Sequence, residues 1–152
     1  MKSMNVTIVK SALILIIGVI CTTSLQAQDV NKNAIVGVWE SEDKDAKMEI
    51  FKDGNEYKAK LLWGKDIVNA DGTSKKDVNN PDEKFHNRDL LGMTYMKCLK
   101  FDDDQWEKGQ VYNNANGKWY KCYVWLENKQ IHLRGYLGMK MLGQTTKWNQ
   151  IK

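Results

Sequence analysis

The chain has 152 residues, 23 of them basic and 19 acidic, for a formal net charge of +4. That length fits one domain around one modest core. The basic residues are lysines apart from Arg88 and Arg134 and lie scattered between acids, so no phosphate-tracking stripe forms and no nucleic-acid partner is expected.

At the N-terminus, Lys2 and Lys10 precede an apolar run from Ala12 to Cys21 that only Gly18 interrupts, and a small, polar stretch follows to Ala27. This is the build of a secretory signal peptide, cut near Ala27 to leave residues 28–152 as a single domain. The run is short for a bilayer crossing, so no transmembrane segment is expected in the mature chain. Ile20 before Cys21 argues against lipid attachment there. The expected location is periplasmic or secreted.

Short alternating runs then follow one another. Ile35–Ser41 and Ala46–Lys52 are the first two, and Asp53-Gly54 supplies the positive φ angles of a tight hairpin. Tyr57, Ala59, Leu61 and Trp63 share one face of the third run. Leu91–Phe101, Gln105–Tyr112, Lys118–Leu126, Gln130–Leu137 and Thr145–Ile151 complete about eight strands, with Asn116-Gly117 as another hairpin signal. An antiparallel up-and-down meander of this kind hides its edges best by closing into a small calycin-like β-barrel. A two-sheet β-sandwich is the alternative.

Gly37-Val38-Trp39 opens this meander. The motif resembles the Gly-x-Trp of lipocalin barrels, where the indole plugs the closed end and a late basic residue stacks over it. Arg134 or Lys147 would serve here. A Trp39 that only fills the core is the simpler alternative.

Gly64–Asp89 is the long connection, about 25 residues, a length that suits a lid or binding loop. Its acids (Asp66, Asp71, Asp77, Asp82 among them) match no defined calcium spacing, and solvated side chains are expected rather than a metal site. Cys98 and Cys122 fall on strands with one strand between them. Two strand spacings separate them by roughly 9–10 Å, beyond the roughly 7 Å reach of a disulfide, so two free, buried thiols are expected. His132 is expected to face outward with Arg134. His86 with Asp82 or Asp89 would make an acid–base pair, but no nucleophile stands beside it, and neither a reaction nor a cofactor is assigned.

The ordered motifs resemble an exported bacterial family known as domain of unknown function 2147. They are Gly37-Val38-Trp39, Asp77-Val78-Asn79-Asn80-Pro81 with Arg88 and Leu90-Leu91-Gly92, Gly109-Gln110-Val111-Tyr112, and Gly117-Lys118-Trp119-Tyr120. Arg134-Gly135-Tyr136-Leu137-Gly138, Leu142-Gly143-Gln144-Thr145 and Trp148 complete the set. Asn113-Asn114 stands where the family tends to have Asp-Pro, and Gln144 where an arginine is usual. The resemblance implies a β-rich exported domain and no established activity. The glycines, with Tyr136 and Trp148 packed over them, read as architecture.

The leading expectation is a barrel that binds a small apolar or amphipathic ligand, or a lipid, through a mouth under the long loop. Trp63, Tyr95, Trp106, Tyr120 and Trp125 are the candidate wall or rim aromatics, with Arg88 and Arg134 as anion anchors. The alternative is an envelope protein partner bound through Trp119, Tyr123 and Trp125.

Overall fold

The computed structural model describes residues 31–151; the expected signal peptide lies outside them. Eight antiparallel strands run β1 (Gly37–Ser41), β2 (Ala46–Asp53), β3 (Glu56–Gly64), β4 (Thr94–Asp102), β5 (Gln105–Asn113), β6 (Lys118–Glu127), β7 (Gln130–Tyr136) and β8 (Gln144–Gln150). Each pairs with the next, and β8 pairs with β1 through Trp39↔Gln150 and Ser41↔Trp148, closing the barrel. The sheet has no second layer, which sets the sandwich aside.

Period-two alternation turns Met48 and Ile50 of β2, Tyr57 and Ala59 of β3, Cys122 and Val124 of β6, and Ile131 and Leu133 of β7 into one shared core. The tight turns follow their sequences. Gly54 has φ +60°, and Asn128 and Lys129 have φ 52° and 64°, the two left-handed positions a short hairpin requires.

Two bulges lie side by side. Two β4 residues oppose Lys58 between the pairs Tyr57↔Leu99 and Ala59↔Met96, with Cys98 at φ 62°. Two β5 residues oppose Tyr123 between Trp106↔Val124 and Gly109↔Cys122, with Lys108 at φ 62°. Such bulges bend and twist the local ribbon. They also turn Cys98 off the strict alternation, so this thiol is only half-buried while Cys122 is fully buried. Both cysteines are free, as the spacing argument expects; burial of the pair is corrected for Cys98.

One end of the barrel is plugged. The Trp39 indole Nε1 donates to the carbonyl of Ile35 at 2.9 Å, and Trp106 Nε1 donates to the carbonyl of Lys32 at 3.1 Å. Tyr57 meets Trp106 edge-on at 6.3 Å and donates from its hydroxyl to Asn33 Oδ1 at 2.9 Å. The segment before β1 thus crosses beneath the barrel, its backbone acceptors satisfied by buried indoles. No cation stacks over Trp39 among the described residues. Arg134 and Lys147 both project from the outer surface of the wall, opposite the inward-facing Leu133 and Trp148, and the expected cation–π cap is corrected accordingly.

The long connection is ordered by its own bonds. Val68↔Ser74 and Lys76↔Asp89 form isolated bridges, Ile67 is buried, and a single 3-10 turn covers Glu83–Phe85.

Candidate functional site

The barrel is open at the end opposite the indole plug, where the β5–β6 hairpin and the β7–β8 connection rise. A pocket of about 520 Å³ lies there, within the size range of small-molecule sites. Its floor is apolar: Tyr95, Leu133 and Trp148 are buried side chains of three different strands, half-buried Val111 joins them, and Tyr112 borders the space. Its rim is polar, formed by Asn113, Asn114, Gln144 and Thr146, while exposed Leu137 and Leu142 make an apolar lip.

The space arises from missing side chains. Gly109, Cys122 and Gly135 are paired in a row across β5, β6 and β7. A Cβ at Gly109 would lie 2.5 Å from Leu99 Cδ2 and 2.7 Å from Cys122 Sγ, so Leu99 fills that part of the row. At Gly135 the nearest neighbour would be Val111 Cγ1 at 3.3 Å, and the volume stays open as pocket wall. Burial pushes the Cys122 thiol up to about 12, with Cys98 adding to the shift. Burial likewise raises Tyr95, whose hydroxyl donates to Met48 Sδ at 3.1 Å. Both groups are neutral at physiological pH.

Behind Tyr112 stands a clamp that the sequence reading did not anticipate. Asp77, in the long connection, is 1% exposed. Its Oδ1 accepts from the Tyr112 hydroxyl at 2.7 Å, and its Oδ2 accepts from Asn80 Nδ2 at 2.9 Å and from Arg88 Nη2. Burial, and then the bond to Asp77, raise the Tyr112 hydroxyl. Arg88 packs on Phe85 with 4.6 Å to the ring centroid. Next to the clamp, Asn79 Nδ2 donates to the carbonyl of Asn114 at 2.9 Å. Gly117, at φ +68°, admits the loop: a Cβ there would sit 1.9 Å from the Asn79 carbonyl oxygen. The Asp77–Pro81 block, Arg88, Tyr112 and Gly117 are therefore one device fastening the long connection to the β5–β6 hairpin.

The candidate binding residues divide by position. Tyr95 and Tyr120 line the pocket. Trp106 faces inward at the plugged end, and Trp63 is exposed at the end of β3. Trp125 lies on the outer wall, stacked at 5.3 Å on Tyr123 and at 4.9 Å on His132. Arg88 is spent on Asp77. Arg134 points outward, its Nε and Nη2 donating to the carbonyls of Lys140 and Met141 and its Nη1 to Thr145 Oγ1. Neither arginine reaches the pocket, so the anion-anchor expectation is corrected. His132 does face the outer side, but Trp125 covers it to 7% exposure. His86 Nε2 lies 2.8 Å from the Asn80 carbonyl, and its expected carboxylate partners are engaged by Lys84 and Lys76. The long connection contributes none of the lining residues, so the mouth is not under it; it braces the hairpin beside the mouth.

Of the motif residues read as architecture, Gly37 opens β1, and Trp39, Gly92, Gly117, Gly138 and Gly143 sit in the plug, turns or bends. Tyr112, Gly135, Tyr136 and Trp148 line the pocket instead. Gln144, noted as a departure from the family pattern, stands on the rim.

A closed eight-stranded meander with an indole plug at one end and a pocket at the other is a lipocalin-like barrel. Among solved structures the chain is similar to protein HP1028 from the human pathogen Helicobacter pylori, described as belonging to the lipocalin family. The TM-score is 0.68 at 22% identity over 81% of this chain and 84% of that one; at this identity the likeness concerns the fold. The sequence profile of DUF2147, an uncharacterized protein conserved in bacteria, matches residues 37–150, and the chain belongs to that family. Comparison with curated proteins gives no match.

Proposed function

We propose that this protein is exported and binds one small, partly apolar molecule in the open end of its barrel. The observation that carries the reading is the pocket of about 520 Å³ with a buried floor of Tyr95, Leu133 and Trp148 beneath a polar rim. Apolar area supplies affinity at such a site, and a few polar groups fix orientation. Export rests on the signal-like first 27 residues, and N-terminal sequencing of the mature protein is expected to begin near Gln28. Native mass spectrometry of the protein isolated from its own cells should find one bound small molecule that organic extraction removes. A mass equal to the bare chain, together with tryptophan emission indifferent to added neutral apolar compounds, would end this reading.

A second reading is an envelope interaction module. The half-buried Trp119, Tyr123 and Trp125 offer less free surface for it than the lip of the β7–β8 connection, where Leu137, Met139, Met141 and Leu142 are 65–86% exposed. Retention of an envelope protein by the intact chain, lost in a Met141→Ser, Leu142→Ser double variant, is the result that would favour it.

A further inference from the structure

We propose that the pocket discriminates by charge, taking uncharged ligands and excluding anions, and that Gln144 is the specificity-determining residue. The inference rests on the small-molecule reading above and narrows its ligand class.

None of the residues lining the pocket is charged among the described residues. Three cations near this end are committed elsewhere, and exposed Lys118, cross-strand from Asn113, is not among the lining residues. Arg134 is fixed on the outer wall by three hydrogen bonds. Arg88 neutralises Asp77 behind Tyr112, and Lys140 pairs with Glu107. An ionic group on a ligand would therefore lose water against Tyr95, Leu133 and Trp148 with no counter-ion among the lining residues, which is strongly unfavourable.

The rim offers the opposite to a neutral polar group. The Gln144 side chain is exposed at the pocket and makes no hydrogen bond among the described residues, leaving one acceptor and two donors for a ligand. The Tyr120 hydroxyl accepts from Asn116 Nδ2 at 2.9 Å and keeps its own proton to donate. Asn113 Oδ1 accepts from the Ala115 N–H, which leaves its amide hydrogens free. These groups suit a hydroxyl, carbonyl or amide on an otherwise apolar body. Gln144 is paired with Gly135 across β7 and β8, so the side chain at position 144 has no bulky neighbour opposite it, and a longer one can swing over the floor.

Two fluorescent probes with one skeleton test this: uncharged N-phenyl-1-naphthylamine, and 1-anilinonaphthalene-8-sulfonate, whose ring-borne sulfonate must enter with the ring. Only the signal displaced by excess 1-octanol and lost in Gly135→Leu counts as pocket binding. Should Gly135→Leu misfold, octanol displacement alone defines the site. Wild type is expected to bind the neutral probe at least about tenfold more tightly than the sulfonate. Gln144→Arg should tighten the sulfonate by about tenfold while leaving the neutral probe within about twofold. Equal or tighter displaceable sulfonate binding by wild type, or no change in the ratio in Gln144→Arg, overturns charge discrimination but leaves the pocket as a binding site. Absence of displaceable binding by either probe overturns the small-molecule reading and this inference together.

Discussion

The Tyr112 hydroxyl donates 2.7 Å to Asp77 Oδ1, and the same residue borders the pocket, so one residue joins the pocket lining to the anchor of the long connection. Removing that hydroxyl leaves a buried carboxylate oxygen short of a donor. Tyr112→Phe is expected to lower stability by about 1–3 kcal/mol in urea unfolding. Arg88→Ala deprives the same carboxylate of its cation and should cost about 3 kcal/mol, the lower end for a broken buried pair, because Arg88 is itself one-third exposed. The two effects share a partner, and the double variant is expected to lose less than their sum. Strict additivity would show that the contacts are independent.

Gly117→Ala tests the same junction from the other side. The added methyl would collide with the backbone of Asn79 and occupy a left-handed φ, which alone costs about 1 kcal/mol for a non-glycine residue. The loop must lift to make room. Limited proteolysis should then cut within residues 77–82 at least about tenfold faster than in wild type; an unchanged rate would mean that the loop is held elsewhere.

Thiol chemistry separates the two cysteines. With its thiol pushed up to about 12 and its side chain fully buried, Cys122 should resist iodoacetamide at pH 8 in the native protein. Half-buried Cys98 should be modified first. Peptide mapping after short labelling reads the order, and equal labelling would contradict the burial.

The turn between β1 and β2 carries the acid dependence. Ser41 Oγ donates to Asp45 Oδ1 at 2.8 Å, and Lys65 Nζ lies 3.0 Å from Oδ2. The serine bond first, and then the lysine, hold the Asp45 carboxyl below its ordinary value. A depressed folded pKa contributes stability that is full above the unfolded value and is lost as pH falls through the folded one. Asp45→Asn should therefore lower Tm at pH 7, and the gap to wild type should begin to narrow near the ordinary carboxylate value of about 4 and go on narrowing as pH falls through the folded one. A gap that does not narrow at all on acidification would assign the effect to packing.

The strands were legible because alternation and turn residues agree along most of the chain. The fourth begins at Thr94 rather than Leu91 because Gly92 turns at φ +73° and donates its N–H to the Leu61 carbonyl. The site was legible in direction but not in height. Parity places Tyr120 inward with Cys122 and Val124, and it also places Arg134 and Trp125 outward. Trp106 has the inward parity but sits at the plugged end, and only the register of paired strands separates the two ends. Tyr95 and Met96 both turn inward although adjacent, since β4 slips by one residue between Ala59↔Met96 and Lys60↔Thr94. A bulge of that kind has no sequence signature here. Asp77 read as one of several loop acids, because the Tyr112 hydroxyl that fastens it to the barrel lies 35 residues further along the chain.

The paired row of Gly109, Cys122 and Gly135 gives the hollow one adjustable dimension. A methyl at the first position has nowhere to go, since Leu99 already occupies it, whereas the third position faces open volume bounded by Val111. Each carbon added at that third position would press on Val111 and shorten the hollow in steps, while hairpins, plug and anchor stay as they are.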